Sequence, residues 1–299
     1  MHRSKLLAFP LLTVGFAWSG SDVSELDRAL AILSASVPDV PHAVADLSGS
    51  SILQQVTDKG PYLGFDTSEY PGDAAMQAWR AHAGYDWVGY YLQAPCHKDA
   101  SWSGKRDTLE AMGWGLAVVY VGQQTWEKAP RSRKRSSAVK TCAASLVTAD
   151  RGRLDADDAI ARTAAEGFPP GTAIFLDLEH MNAVPNAMRD YYAAWTERLL
   201  EDGRYRPAYY AHTANAQTIY ADVRLVLDRH GVRSDPPFWI AGGSNFGRDR
   251  SPQDVGHEFA DVWQGVLDTW EKHNAVRLPI DVNVAAVPSP SAAAYAAAD

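Results

Sequence analysis

The stretch Thr172–His180, TAIFLDLEH, decides how this chain is read. Ala173, Ile174, Phe175 and Leu176 have the unbroken apolar character of a buried strand, and Asp177 and Glu179 then interrupt it. Side chains two residues apart on a strand share a face. Both carboxylates therefore look one way, while Ile174, Leu176 and Leu178 look the other. An unpaired buried charge is costly, and two of like sign side by side cost more. A metal ion or a chemical step would account for them.

The same register recurs in two distant segments. In YLGFD, residues 62–66, Asp66 shares a face with Gly64 and Tyr62, opposite Leu63 and Phe65. In IDVNVA, residues 280–285, Asp281 and Asn283 share a face, opposite Ile280, Val282 and Val284. Three strands with acids on the inward register predict one cleft that gathers Asp66, Asp177, Glu179 and Asp281.

Between these segments, strands alternate with helices. YLGFD, DWVGYYL, GLAVVYVG, TAIFLDLEH, RPAYYAH, PFWIAGG, ADVWQGV and PIDVNVA read as eight strands. Each of the first five is followed by a helical stretch: GDAAMQAWRAHAG, KRDTLEAMGW, DADDAIARTAAEG, NAMRDYYAAWTERLLEDG and NAQTIYADVRLVLDRHG. Alternation means a parallel α/β sheet, and eight strands suffice to close a barrel. The expected fold is a TIM-type, (β/α)5β3-like barrel whose last three strands lack helices. An open doubly wound sheet is the alternative, weakened because no Gly-rich phosphate loop follows the first strand. Barrels of this class place their sites at the C-terminal ends of the strands, where all four acids fall.

The barrel is expected over 61–286. A possible signal segment, 1–20, and a lead-in, 21–60, precede it; within the lead-in SELDRALAILSASV has helical periodicity. The basic run EKAPRSRKRSSAVK reads as a solvated loop, and 287–299 as a disordered tail. The N-terminus has the plan of a secretory signal: Arg3 and Lys5, then an apolar run from Leu6 to Trp18. That run is too short to span a bilayer as a mature helix. An ordinary buried N-terminal segment is the other reading. The expected location is secreted or cell envelope, otherwise cytoplasmic. Cys96 and Cys142 are the two cysteines, and an exported chain has room for one disulfide between them.

A net charge of −8 argues against nucleic acid as the main partner. No zinc, iron or nucleotide cofactor is expected, because Cys pairs, a His-x-x-x-His pair and a Gly-rich phosphate loop are all lacking. A hard divalent cation is another use for clustered carboxylates, and His180 and His212 are the histidines that would join it. Clustered carboxylates also force at least one member to hold a proton. A protonated carboxyl beside ionised ones is what cleavage of a glycosidic bond requires. Tyr91, Tyr210, Trp239 and Trp263 are candidates to stack on sugar rings, and each is equally able to be a core residue.

The ordered set GFDTSEYPGDAAMQAW, WVGYYL, AMGWGLAVVYVGQQ, AIFLDLEH and VWQG followed by IDVNVA resembles a bacterial glycoside-hydrolase-like domain family, numbered 1906 among domains of unknown function. That family is similar in turn to the family-25 lysozymes, whose fold is a (β/α)5β3 barrel. The resemblance spans Tyr62 to Ala285. It implies that Glu179 is the general acid and that Asp177 steadies the substrate acetamido group during attack from within the substrate. It implies that Asp66 and Asp281 are the first-strand and last-strand acids of the cleft, with Gln264 and Asn283 beside the substrate. The basic insert after the third strand departs from the lysozyme pattern.

Two functions follow. One is an exported glycoside hydrolase acting on peptidoglycan or a related N-acetylated glycan. The other is a noncatalytic glycan-binding or envelope-organising protein built on the same barrel. Four intact carboxylates favour hydrolysis, because binding alone would tolerate amides.

Overall fold

The computed structural model describes residues 61–125 and 141–292. The signal-like run, the lead-in, the basic run and residues 293–299 of the tail lie outside the described residues. Strands β1 (Tyr62–Asp66), β2 (Trp87–Tyr91), β3 (Gly115–Val121), β4 (Ala173–Leu178) and β5 (Arg206–His212) are each followed by a helix. These are α1 (Asp73–His82), α2 (Arg106–Ala111), α3 (Ala149–Ala165), α4 (Asn186–Asp202) and α5 (Thr213–Arg229). Strands β6 (Phe238–Ala241), β7 (Val262–His273) and β8 (Val276–Ala285) follow with no α-helix between them. The strands close in sequence order into one barrel, so the open-sheet alternative is excluded. β1 to β7 run parallel, and β8 is antiparallel to both β7 and β1.

Period-two alternation sorts the strand residues into two cores. Trp87, Ala117, Val119, Ala173, Phe175, Ala208, Trp239, Val262 and Ala285 fill the barrel interior. Phe65, Val88, Leu116, Val118, Ile174, Leu176, Tyr209, Ile240 and Val282 face outward to the helices. The interior is wide enough for two tryptophans because β1 carries Gly64 opposite Trp87: a Cβ there would lie 2.0 Å from the indole. Outside, Gly152 on α3 lets α4 approach so closely that a Cβ would sit 2.2 Å from the Tyr191 carbonyl oxygen. α3 starts on Thr148, whose hydroxyl accepts from the Arg151 amide, and α4 ends on Gly203 in the left-handed conformation.

Two features go beyond the sequence expectation. β7 and β8 are longer than their apolar cores, and they continue as a hairpin arm past irregularities at Gln264/Val266 and Val266/Thr269. Residues 287–292, expected to begin a disordered tail, are instead pinned across the lower ends of β3 and β4. Ser291 Oγ accepts from the Val118 amide at 2.7 Å, Ser289 Oγ from the Leu116 amide at 3.0 Å, and the Ser291 carbonyl from the Ala173 amide at 2.9 Å. Small polar side chains that read as low complexity here serve as hydrogen-bond plugs. No helix among the described residues is long and apolar enough to cross a membrane.

Candidate active site

Inward register brings the top of each strand to one place. On β1 the inward residues are Tyr62, Gly64 and Asp66, and on β8 they are Ala285, Asn283 and Asp281. Asp66 and Asp281 are direct cross-strand partners. Asp66 is buried and accepts three hydrogen bonds: from Gln264 Nε2 at 2.8 Å and Asn283 Nδ2 at 2.8 Å on one oxygen, and from Tyr91 Oη at 2.7 Å on the other. Asp281 accepts from the Asp268 amide at 2.6 Å and from Gln264 Nε2 at 3.3 Å. A cleft of ≈ 270 Å³ opens above the pair, lined by Asp66, Thr67, Ser68, Tyr91, Asp268, Pro279, Ile280 and Asp281.

Asp177 and Glu179 come from the end of β4, Asp177 only 8% exposed and Glu179 half-buried. Gln124, just past the end of β3, fixes the backbone between them. Its Nε2 donates to the Asp177 carbonyl at 2.9 Å, and its Oε1 accepts from the Glu179 amide at 3.2 Å. The amide side chain thus extends the β3–β4 ladder by one rung.

Burial pushes the Tyr210 phenol far up, and the charges of Asp177, Glu179, Asp66 and Asp281 push it further. Tyr210 is the cross-strand partner of Asp177, and its hydroxyl donates to Gln264 Oε1 at 2.7 Å. Burial also pushes the Tyr91 phenol well up, with Asp66 and Asp177 adding to it. Burial raises the Asp66 carboxyl, and its three donors pull it back. Three donors suit an ionised carboxylate, so the shared proton belongs on its partner. Asp281 is pushed up to about 7, first by burial and then by the Asp66 charge.

That shift has a pH signature. Below about pH 4 the Asp281 carboxyl is protonated whether the chain is folded or not. Between about 4 and 7 the folded state keeps a proton that the unfolded state has released, so stability falls as pH rises. The cost is complete above about 7. Allowing for solvent screening, it should amount to roughly 1–2 kcal/mol. Asp281→Asn should flatten this slope, and melting temperatures of both proteins from pH 5 to 8 check it; parallel curves would disprove the assignment.

The family model for the Rv2525c-like, glycoside hydrolase-like domain matches residues 77–285, more than half of the chain. The chain belongs to this family. No curated protein matches it by sequence. Among solved structures it resembles the spore cortex lytic enzyme SleM of Clostridium perfringens at TM-score 0.51 and 18% identity, covering 78% of this chain and 69% of that one. It also resembles the modular autolysin LytC of Streptococcus pneumoniae at TM-score 0.50 and 13% identity, covering 75% of this chain and 46% of that one. The Tat-secreted protein Rv2525c of Mycobacterium tuberculosis aligns at TM-score 0.44 and 18% identity, over 75% and 94%. At these identities the likeness is one of fold.

Within this glycoside hydrolase-like barrel the expected sugar-binding residues divide. Tyr91 and Tyr210 stand half-buried at the cleft with their hydroxyls engaged by Asp66 and Gln264. Trp239 points inward but sits one layer too deep. It is 1% exposed, packs on Trp87 and Phe175, and donates from Nε1 to Asn283 Oδ1 at 2.9 Å. Trp263 faces the outer layer at 0% exposure and donates to the Gly242 carbonyl at 2.6 Å. Neither tryptophan offers a surface to a sugar. Val262 and Gln264 take the inward positions of β7, which leaves Trp263 outside. Gln264 and Asn283, expected beside the substrate, are buried and instead hold the carboxylates in place.

Gln124 and Asp268 were not foreseen. The Gln-Gln pair closing the β3 segment was the available signal for the first, and the second depends on the irregularity in β7. His180 and His212 lie at the rim with ring centroids 4.7 Å apart, and burial followed by the charge of His180 lowers His212. Among the described residues no group of three or more His, Cys, Asp or Glu side chains is placed to hold a metal ion.

Proposed function

We propose that this barrel is a glycoside hydrolase acting on a cell-wall or related N-acetylated glycan. The observation that carries the reading is a polar chain across the barrel mouth: Gln264 donates to Asp66 and Asp281 and accepts from Tyr210, the cross-strand partner of Asp177. Glu179 gives its proton to the leaving glycosidic oxygen as the bond to the anomeric carbon breaks. Asp177 orients the acetamido group, whose carbonyl oxygen attacks that carbon from within the substrate. Water then opens the cyclic intermediate, its proton returns to Glu179, and the acetamido group is restored. Asp66, held by three donors, and Asp281 set the charge and shape of the cleft wall and act as positioning groups.

Export is part of the proposal. The signal-like N-terminus supports it, and so does the disulfide between Cys96 and Cys142, because such bonds persist in oxidising compartments.

The test is release of soluble fragments from purified, dye-labelled bacterial wall. Wild type should release them, whereas a protein that binds the wall and releases nothing across a broad glycan panel would transfer the reading to a noncatalytic binder. Asp177→Asn should slow cleavage most on substrates that carry the acetamido group. An equal loss on substrates lacking it would remove Asp177 from that role.

A further inference from the structure

His212 ends β5 half-buried and on the inward register, one inward step above Tyr210. It is also the N-cap of α5, where its Nδ1 accepts from the Ala214 amide at 3.2 Å. That bond fixes the tautomer, because a ring nitrogen that accepts carries no hydrogen. The imidazole is therefore neutral, with its one proton on Nε2. Its surroundings support that state. The N-terminal end of α5 disfavours a cation at its cap. Burial, and then the charge of His180 with its ring edge-on at 4.7 Å, weaken the hold of His212 on a second proton. Nε2 has no hydrogen-bond partner among the described residues. Gly242, at φ 89°, keeps the space beside it, since a Cβ there would come within 2.9 Å of Nε2.

This donor stands next to the proposed acid. β4 and β5 pair as Asp177 with Tyr210 and Leu178 with Ala211, so Glu179 and His212 are the next residues in line. The Glu179 charge bears on Tyr210, one inward step below His212. Resting on the glycan reading above, we infer that His212 contacts the substrate: its Nε2–H donates to an oxygen of the sugar beside Glu179 and so aims the glycosidic oxygen at the acid. A neutral donor suits that place. An imidazolium would favour the ionised form of a neighbouring carboxyl and so work against a general acid. The titratable groups around the ring are His180 and Glu179 at the end of β4, Tyr210 below it on β5, and His257, whose Nε2 lies 3.2 Å from the Thr213 hydroxyl. α5 thus anchors one nitrogen of the ring and leaves the other to the cleft.

The two nitrogens can be removed separately. An Asn amide reaches the position of Nδ1, and a Gln amide the position of Nε2. His212→Asn should keep the cap and the melting temperature but lose the donor. His212→Gln should keep a donor but lose the cap, and melt about 2–4 °C lower. Fragment release from dye-labelled wall, measured well below both transitions, should fall about 3- to 10-fold in kcat/KM for His212→Asn. His212→Gln should stay within about 2-fold of wild type. A ring that serves only as a helix cap gives the reverse order. An Asn variant that releases as much as the Gln variant, or more, would therefore overturn the donor while leaving the Glu179 reading intact. Nitrogen-15 spectra of the ring provide a check that needs no substrate. They should show the Nε2–H tautomer and a titration midpoint below the ordinary 6.5. An Nδ1–H tautomer, or a midpoint above 6.5, would also overturn the donor. Wild type that releases nothing across the glycan panel would overturn both the donor and the glycan reading.

Discussion

Glu179→Gln should lower glycan cleavage by ~10²–10⁴-fold while leaving the barrel folded. Gln keeps the shape and most hydrogen bonds of Glu but has no proton to give at neutral pH. The backbone of β4 should not shift, because Gln124 holds the Glu179 amide and the Asp177 carbonyl rather than the Glu179 side chain. Stability should hold or rise. Gln is neutral at every pH, so the repulsion that Glu179 exerts on Asp281 and Tyr210 in its ionised form is lost and none is added. The measurements are wall-glycan release per mole of enzyme and melting temperature, on wild type and variant side by side. A variant that cleaves as well as wild type would show that Glu179 is not the proton donor. A variant that loses activity together with its melting transition would show only that the side chain is needed to fold.

The barrel was legible because its signals are local and repeated. Each strand announces its inward face by period two, and Asp66, Asp177 and Asp281 obeyed that rule independently. The same rule, applied strictly to β7, places Trp263 outside once Gln264 is inside; resemblance and aromatic character had drawn it into the site. Trp239 exposes a different limit. Period two tells which face a side chain takes but not its height along the barrel axis, and Trp239 lies beneath the polar layer, on the interior apolar core. Asp268 reaches the cleft through a backbone irregularity and a positive φ of 50°, neither of which a hydrophobic pattern encodes. Ser289 and Ser291 failed for a compositional reason. A Ser/Pro/Ala run looks unable to form a core, yet two hydroxyls suffice to cap the β3 amides at the barrel floor.

Removing the disulfide should be the most destabilising change away from the cleft. Cys96 follows β2 and Cys142 precedes α3, so the bond closes a loop with a sequence separation of 46. Cross-linking a loop of that length lowers the entropy of the unfolded chain, worth about 4 kcal/mol in the chain-entropy account and ~2–4 in typical measurements. The folded state has its own local ties there. Gln123 Nε2 donates to the Thr141 carbonyl at 2.9 Å, and Gln123 Oε1 accepts from the Ala143 amide at 3.2 Å. The Cys96 amide donates to the Val121 carbonyl at 3.2 Å. These bonds need no disulfide, so the cleft should keep its geometry at low temperature after the bond is lost. The Cys96→Ser/Cys142→Ser protein should therefore melt roughly 5–15 °C lower, yet retain near-normal glycan release well below its transition. Dithiothreitol should shift wild type by a similar amount and leave the double variant unmoved. If oxidised wild type, reduced wild type and the double variant all melt together, the bond contributes nothing to stability and the entropic argument fails for this chain. If activity vanishes on reduction while the melting temperature stays put, Gln123 and its neighbour Gln124 transmit the state of the disulfide to Asp177 and Glu179. The loop would then control the site rather than merely hold the fold.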